Sequence, residues 1–309
     1  MKNIFIINPT AGKKDCTEAV RSTAADAFRA YPGEEYEFYI TTAPGDAETK
    51  VRSLGESGEE MRVFCCGGDG TFNECVNGAA GFLNLALAPY PVGTGNDFCR
   101  MFDDQGSGFL DLPSMITGSV HPIDLIDCNG RYSACICSVG FDARVGCNVH
   151  KYSSIPFVFG KTAYVISLIV ELFKGLNRKM HILCNGMEYT GKFALVSVCN
   201  GRFYGGGFMP SRDAMPDDNE LDMYIIKKAD LLKLALNIGK YASGRSDEIP
   251  NLITHLKGDR IRIEFDRSEV INADGETLIA PVADMHVVPG VLRLLIPRGL
   301  KFFPDTANA

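Results

Sequence analysis

The sequence contains no CxxC pair, although it holds 11 cysteines. Zinc sites and disulfide frameworks need regular cysteine spacing. Here Cys65 and Cys66 are adjacent, Cys135 and Cys137 flank Ile136, and the rest are scattered. Free cysteine packs as a small apolar side chain, so reduced, structural cysteines in a cytoplasmic protein are expected. Uninterrupted apolar runs of membrane-span length are also missing. The best candidate, residues 155–173, is broken by Pro156, Gly160, Lys161, Thr162 and Glu171. A span needs about 20 apolar residues, so a buried helix is the expectation there. The start, Met1-Lys2-Asn3-Ile4, leads directly into a strand-like run without a secretory pattern. Positive charge is in deficit. A formal net charge of -7 excludes a general nucleic-acid binder, which needs a concentrated positive field. A membrane surface is not excluded, because a local basic and apolar patch suffices. Internal repeats and low-complexity stretches are absent.

What is present fits two domains: 309 residues, 46% hydrophobic and 22% charged. The first 125 or so residues alternate strand-like and helical patterns. Strands are expected at 3–7, 36–41, 61–65 and 85–88. Helical spacing recurs over 16–28, and Asp46 reads as the N-cap of a second helix. Thr71 and Glu74 have capping-box spacing, so a third helix is expected to start there. Such alternation means a parallel sheet with ligand loops at the strand C-termini. After about residue 122 strands dominate, at 123–128, 132–139, 181–184, 193–199, 221–226, 260–265 and 291–296. Asn129-Gly130 and Asn185-Gly186 are turn signals among them. Helical segments interrupt near 160–175 and 230–243. This texture predicts an antiparallel sandwich.

Three glycine-containing loops each follow a predicted strand. They are Asn8-Pro9-Thr10-Ala11-Gly12-Lys13-Lys14, Gly67-Gly68-Asp69-Gly70-Thr71-Phe72-Asn73-Glu74 and Gly93-Thr94-Gly95-Asn96-Asp97. Glycine lets the backbone approach a ligand and aim N–H groups at phosphate oxygens. A helix starting after the loop adds a positive dipole end. Lys13 and Lys14 could neutralise phosphate charge, and Asp69 and Asp97 stand where Mg²⁺ or ribose contacts would be. Neither GxxxxGK[ST] nor GxGxxG occurs, so the phosphate site is of another kind. Arg100 could reach a phosphate or fix Asp97. His121, His150, His181, His255 and His286 are scattered and read as structural or surface residues.

In order and spacing, NPTAGK, GGDGTFNE and PVGTGNDFCR resemble the catalytic domain of the diacylglycerol kinase family, whose relatives include sphingosine and ceramide kinases. The resemblance continues through Pro210 and the run Asp217-Asp218-Asn219-Glu220-Leu221-Asp222 to Asn272-Ala273-Asp274-Gly275-Glu276. It covers nearly the whole chain. It implies an α/β N-terminal domain with an NAD kinase/phosphofructokinase-like parallel sheet over residues 1–124, on which the tail 298–309 packs back. It implies an antiparallel β-sandwich lipid-substrate domain over 125–297.

The same resemblance implies an ATP site in the cleft between the domains. Asn8, Pro9, Thr10, Ala11, Gly12 and Lys13 would form the phosphate loop, with Thr41 contacting the nucleotide. Gly68, Asp69, Gly70, Thr71, Phe72, Asn73 and Glu74 would cradle it, and Thr94, Asn96 and Asp97 would complete it. Asp69 would hold the Mg²⁺ that bridges the phosphates. A further Mg²⁺ would sit on the second domain at Met215, Asp218 and Glu220, with Asn219 where the family usually has glycine. Asparagine tolerates the left-handed conformation better than most residues. The proton-accepting base would be Glu276, with Asp274 orienting it or binding the catalytic Mg²⁺. The expected reaction is phosphorylation of a lipid hydroxyl at the inner membrane surface, with diacylglycerol the leading acceptor. Monoacylglycerol, a sphingoid base, ceramide, NAD, a soluble alcohol and a catalytically inactive nucleotide-binding regulator remain open alternatives. A homodimer is compatible with the sequence. Local composition, rather than the resemblance, makes Tyr152, Phe157, Phe159 and Tyr164 candidates to help line the acyl entrance.

Overall fold

The computed structural model describes residues 1–153, 170–171 and 175–303. The helix expected near 160–175, together with Phe157, Phe159 and Tyr164, therefore lies outside the described residues, as do the side chains of Tyr152 and His150 and the tail beyond 303. The chain divides into two compact units. The first comprises Met1–Leu125 and the chain from Val288 onward, and the second is Ile126–Val287. The return to the first unit thus starts ten residues before the expected 298. The reason is one unbroken strand, Glu276–Ile296, whose second half joins the first unit's sheet through Leu294 and Leu87.

In the first unit, β1 (Lys2–Ile7), β2 (Glu35–Ile40), β3 (Met61–Gly67) and β4 (Leu85–Pro91) alternate with α1 (Thr17–Phe28), α2 (Asp46–Glu56) and α3 (Asp69–Ala79). β1 pairs in parallel with both β2 and β3, and β3 pairs in parallel with β4. Strands buried on both faces need continuous apolar runs, and β1, β3 and β4 supply them. Phe5 stacks on Phe64 with ring centroids 4.6 Å apart. Short α4 (Asp97–Arg100) and α5 (Leu112–Ile116) follow. Phe102 there meets Phe109, Phe302 and Phe303.

The second unit takes in the end of β5 (Ser119–Cys128), then β6 (Arg131–Ser133), β7 (Ile136–Gly140), α6 (Phe141–Ser153), β8 (Arg178–Cys184), β9 (Met187–Cys199) and β10 (Leu221–Lys227). After these come α7 (Leu231–Ala242), β11 (Ile253–Gly258), β12 (Arg260–Ala273) and the first half of β13 (Glu276–Ile296). Its strand pairs β10–β11, β10–β9, β7–β9 and β12–β13 are all antiparallel. Asn129-Gly130 and Asn185-Gly186 both sit at positive φ and close two-residue hairpins, as their chemistry predicts. The single strand expected at 132–139 is broken into β6 and β7, for a reason given below. β11, α4, α5 and α6 lack a clear sequence period, and β12 and β13 run well past their apolar stretches. The core clusters Ile126, Val139, Ile182, Val196, Met223, Ile263 and Met285. All eleven cysteines are unpaired and nine are buried.

Candidate active site

The three glycine loops interlock at the C-terminal ends of β1, β3 and β4. Asn8 Nδ2 donates to Thr71 Oγ1 at 2.9 Å, joining the first loop to the second. Asn8 Oδ1 also accepts from Thr10, through its backbone N–H and its hydroxyl. Asp69 joins the second loop to the third: its Oδ2 accepts from the Asn96 N–H at 2.8 Å and its Oδ1 from the Asp97 N–H at 2.5 Å. The backbones touch directly. A Cβ on Gly93 would fall 2.3 Å from Gly68 Cα, and one on Gly12 would fall 2.6 Å from the Val92 carbonyl oxygen. Gly12 also holds φ at +77°. Two independent constraints therefore require glycine at this position. Thr41, donating its N–H to Ile7 O, brings a fourth segment to the same edge.

Several residues expected to bind nucleotide are committed elsewhere. Glu74 makes no capping box. The α3 helix begins at Asp69, and Glu74 accepts from the Gly45 and Ala47 N–H groups, fastening the loop ahead of α2. That loop is shaped by Asp46, which accepts from Thr42 and from the Tyr39 hydroxyl, while Gly45 occupies the N-cap. Phe72 turns inward onto Phe98, and Asn73 is 1% exposed and takes a hydrogen bond from Asn77. Both oxygens of Asp69 serve the loop junction, so it acts first as a positioning residue. Arg100 resolves toward Asp97, 3.5 Å away, and donates from Nε to Gly95 O. Lys13, Lys14 and Thr94 are exposed.

In the second unit, Asp274 and Gly275 have φ of 49° and 94° and form a two-residue hairpin turn between β12 and β13. Asp274 does not turn to Glu276. Its carboxylate accepts the N–H groups of Ala134, Cys135 and Ile136 at 2.6–3.2 Å. Those bonds take the N–H groups that a continuous 132–139 strand would use, which explains the break between β6 and β7. Burial lifts the Asp274 carboxyl above its ordinary range, against the pull of these donors. The Asn272 side chain accepts from Gly275 N–H and fixes the turn. Glu276 opens β13 and is exposed.

The segment with Met215, Asp218 and Glu220 keeps its tight turn, with Asn219 at φ 60°. Asp218 Oδ1 accepts from Glu220 N–H. Lys257 Nζ lies 3.9 Å from Asp218, 3.3 Å from Glu220 and 3.6 Å from buried Asp222. Asp222 also meets His255, whose ring stacks on Tyr224. Three carboxylates thus gather around one ammonium, which offsets part of their charge. Among the described residues no group of three or more His, Cys, Asp or Glu could hold a metal ion.

Sequence reasoning missed a polar chain beside β7 and β9. Tyr204 donates to Asp142 Oδ2 at 2.9 Å, lies 3.1 Å from the Tyr241 hydroxyl, and Tyr241 donates to Ser197 Oγ. Burial pushes the Asp142 carboxyl up to about 6. Because the unfolded chain releases that proton near the ordinary 3.8, the protonated form stabilises the fold at low pH, and this is lost as pH rises through about 6. The change is on the order of 3 kcal/mol. Asp142→Asn should therefore flatten the fall in stability between these two values, read as the difference between variant and wild-type melting curves against pH. Parallel curves would show an ordinary carboxylate. Arg144 and Glu171 form another buried pair, at 2.9 Å. No sequence spacing announces either group, because their members at 142, 144, 171, 197, 204 and 241 are brought together by the fold alone.

A nucleotide-type loop array on an α/β unit and an antiparallel unit with an acidic turn define a phosphotransferase architecture. The family model described as the diacylglycerol kinase catalytic domain matches residues 2–128. The one described as the YegS C-terminal NAD kinase beta sandwich-like domain matches residues 135–296. The chain belongs to the diacylglycerol kinase catalytic-domain family and is a lipid kinase. Proteins of Staphylococcus aureus strains JH9 and N315, each named "putative lipid kinase", are 29% identical over 77% of this chain and 78% of their own length. A crystal structure of a "putative diacylglycerol kinase" from Bacillus anthracis is 27% identical, covers 96% of this chain and 97% of its own, and gives a TM-score of 0.72. Another Bacillus anthracis structure, described as a diacylglycerol kinase, shares the fold at 24% identity and a TM-score of 0.69, over 97% and 98% of the two chains.

Proposed function

We propose that this lipid kinase transfers the γ-phosphate of ATP to a lipid hydroxyl, with diacylglycerol as the acceptor and phosphatidic acid as the product. The interlocked loops at the ends of β1, β3 and β4 carry the reading. Loops of this kind present backbone N–H groups to phosphate oxygens. The loop from Asn8 to Gly12, with Lys13 and Lys14 beside it, takes the phosphates, Gly68 and Gly70 give close backbone approach, and Thr94 adds a hydroxyl. Asp69 and Asn96 hold these loops in register, and Glu74 fastens the neighbouring loop ahead of α2. Glu276 accepts the lipid hydroxyl proton as the new O–P bond forms and the bond to the β-phosphate oxygen breaks, releasing ADP. Mg²⁺ bound with ATP would supply neutralisation of the developing phosphate charge. The acceptor meets the enzyme at a membrane surface.

A labelled-ATP transfer assay against diacylglycerol, monoacylglycerol, ceramide, sphingosine and a soluble alcohol in micelles tests this. Labelled phosphatidic acid is expected. Transfer only to a soluble alcohol, or ATP binding without transfer, would sink the reading. At the second-unit turn, Asp218 and the Met215 and Glu220 carbonyls are the residues that would hold a structural Mg²⁺. Lys257 competes for the same charge, so Mg²⁺ should raise the melting temperature of wild type little. Lys257→Met should be less stable without Mg²⁺ and should gain clearly on its addition. Equal Mg²⁺ responses would separate Lys257 from that turn.

A further inference from the structure

Helix α7 keeps a second apolar face in solvent. Its inner side is anchored by Tyr241, 1% exposed, with Leu234 and Ile238 half-buried. Leu231, Leu232 and Leu236 are 54%, 69% and 73% exposed. At about 100° per residue, Leu232, Ala235, Leu236 and Gly239 form one outward stripe, and Lys233 and Lys240 border it. Single exposed leucines are ordinary, but a clustered stripe on one helix marks a contact surface.

The charge around the stripe identifies its occupant. The whole chain carries -7, yet the stretch from Lys227 to Lys240 holds four lysines against one acid, Asp230. Asp230 is occupied in capping α7, accepting from Lys233 N–H. Glu248 takes Lys240 at 3.3 Å, and Lys227 donates to Pro250 O. Lys228 and Lys233 are exposed and line an open bay of about 530 Å³ beside Leu176, Asn177 and Leu231. Ammonium groups flanking exposed leucines suit an anionic lipid surface, where the lysine stems lie along the apolar zone and the heads meet phosphates. A second copy of this chain would bring the same lysines together, which opposes self-association through this face.

We infer that α7 and the preceding Lys227-Lys228 segment form the element by which this protein docks on an anionic membrane. The inference rests on the lipid-kinase reading but is tested apart from it. The measurement is co-sedimentation, without nucleotide or diacylglycerol, on phosphatidylglycerol–phosphatidylcholine vesicles and on pure phosphatidylcholine vesicles. Wild type should bind the anionic vesicles, more weakly as salt rises. Leu232→Asp with Leu236→Asp should lose at least about tenfold in binding, and Lys228→Glu with Lys233→Glu should lose about tenfold or more. All should keep the wild-type melting temperature, since the positions are exposed.

The leucine variant should phosphorylate a water-soluble short-chain diacylglycerol at the wild-type rate and vesicle-embedded long-chain diacylglycerol more slowly. Failure of every form on the short-chain lipid would count against the substrate and leave the vesicle result standing. Wild type ignoring anionic vesicles, or variants binding as wild type, would overturn the inference. So would a wild-type dimer in analytical ultracentrifugation that the leucine variant converts to a monomer.

Discussion

Replacing Glu276 with Gln should lower lipid phosphorylation by about 10²–10⁴-fold and leave ATP affinity unchanged. The amide keeps the size and the exposed place at the start of β13 but cannot accept the lipid proton. Because the neighbouring Asp274 carboxylate is bound to three backbone N–H groups, it is not positioned to take over. Initial rates with diacylglycerol micelles and calorimetric ATP titration check both halves. Near-normal rates would remove Glu276 as the base. Asp274→Asn provides a contrast: its main effect should be on folding, because it weakens a buried, charge-assisted set of bonds to Ala134, Cys135 and Ile136.

Gly93→Ala should lower stability by about 1–3 kcal/mol and weaken ATP binding by at least about tenfold. The added methyl would meet Gly68 Cα at 2.3 Å, and Gly68 N and Asn96 Oδ1 at 2.9 Å. Most of that contact is backbone, which cannot swing aside as the end of a side chain can. Separating the two loops would also strain the bonds from Asp69 to Asn96 and Asp97. Gly70→Ala separates packing from ligand contact, because nothing lies within 4 Å of its added Cβ. Its melting temperature should match wild type, while its ATP affinity falls if phosphate lies against that backbone. A Gly93→Ala protein with normal ATP affinity would show that the junction of the second and third loops is not part of the nucleotide site.

The alternation of apolar strands and helical spacing up to about residue 125 made the first unit legible. Local periodicity and buried strands carry that signal. The hairpins at Asn129-Gly130 and Asn185-Gly186 were equally legible, because their turn type demands positive φ. The three glycine loops could be read as strand-to-helix connections, and their order gave the family. The fate of each carboxylate could not be read. Glu74 has capping-box spacing but bonds to Gly45 and Ala47, which lie 29 and 27 residues away. Asp274 looks like a partner for Glu276 but holds a segment about 140 residues distant.

The sequence by itself determined the two-part architecture, the three glycine loops and the family, because glycines, turn pairs and apolar periods act locally. Tertiary structure alone decided which acids position backbone and which remain exposed for chemistry. It also decided that Lys257 sits at the acidic turn, that Asp142 is enclosed with two tyrosines, and that the leucines of α7 face outward. Each of those outcomes depends on which distant N–H, ammonium or hydroxyl the fold brings within hydrogen-bond reach. No local pattern in the chain encodes that distance.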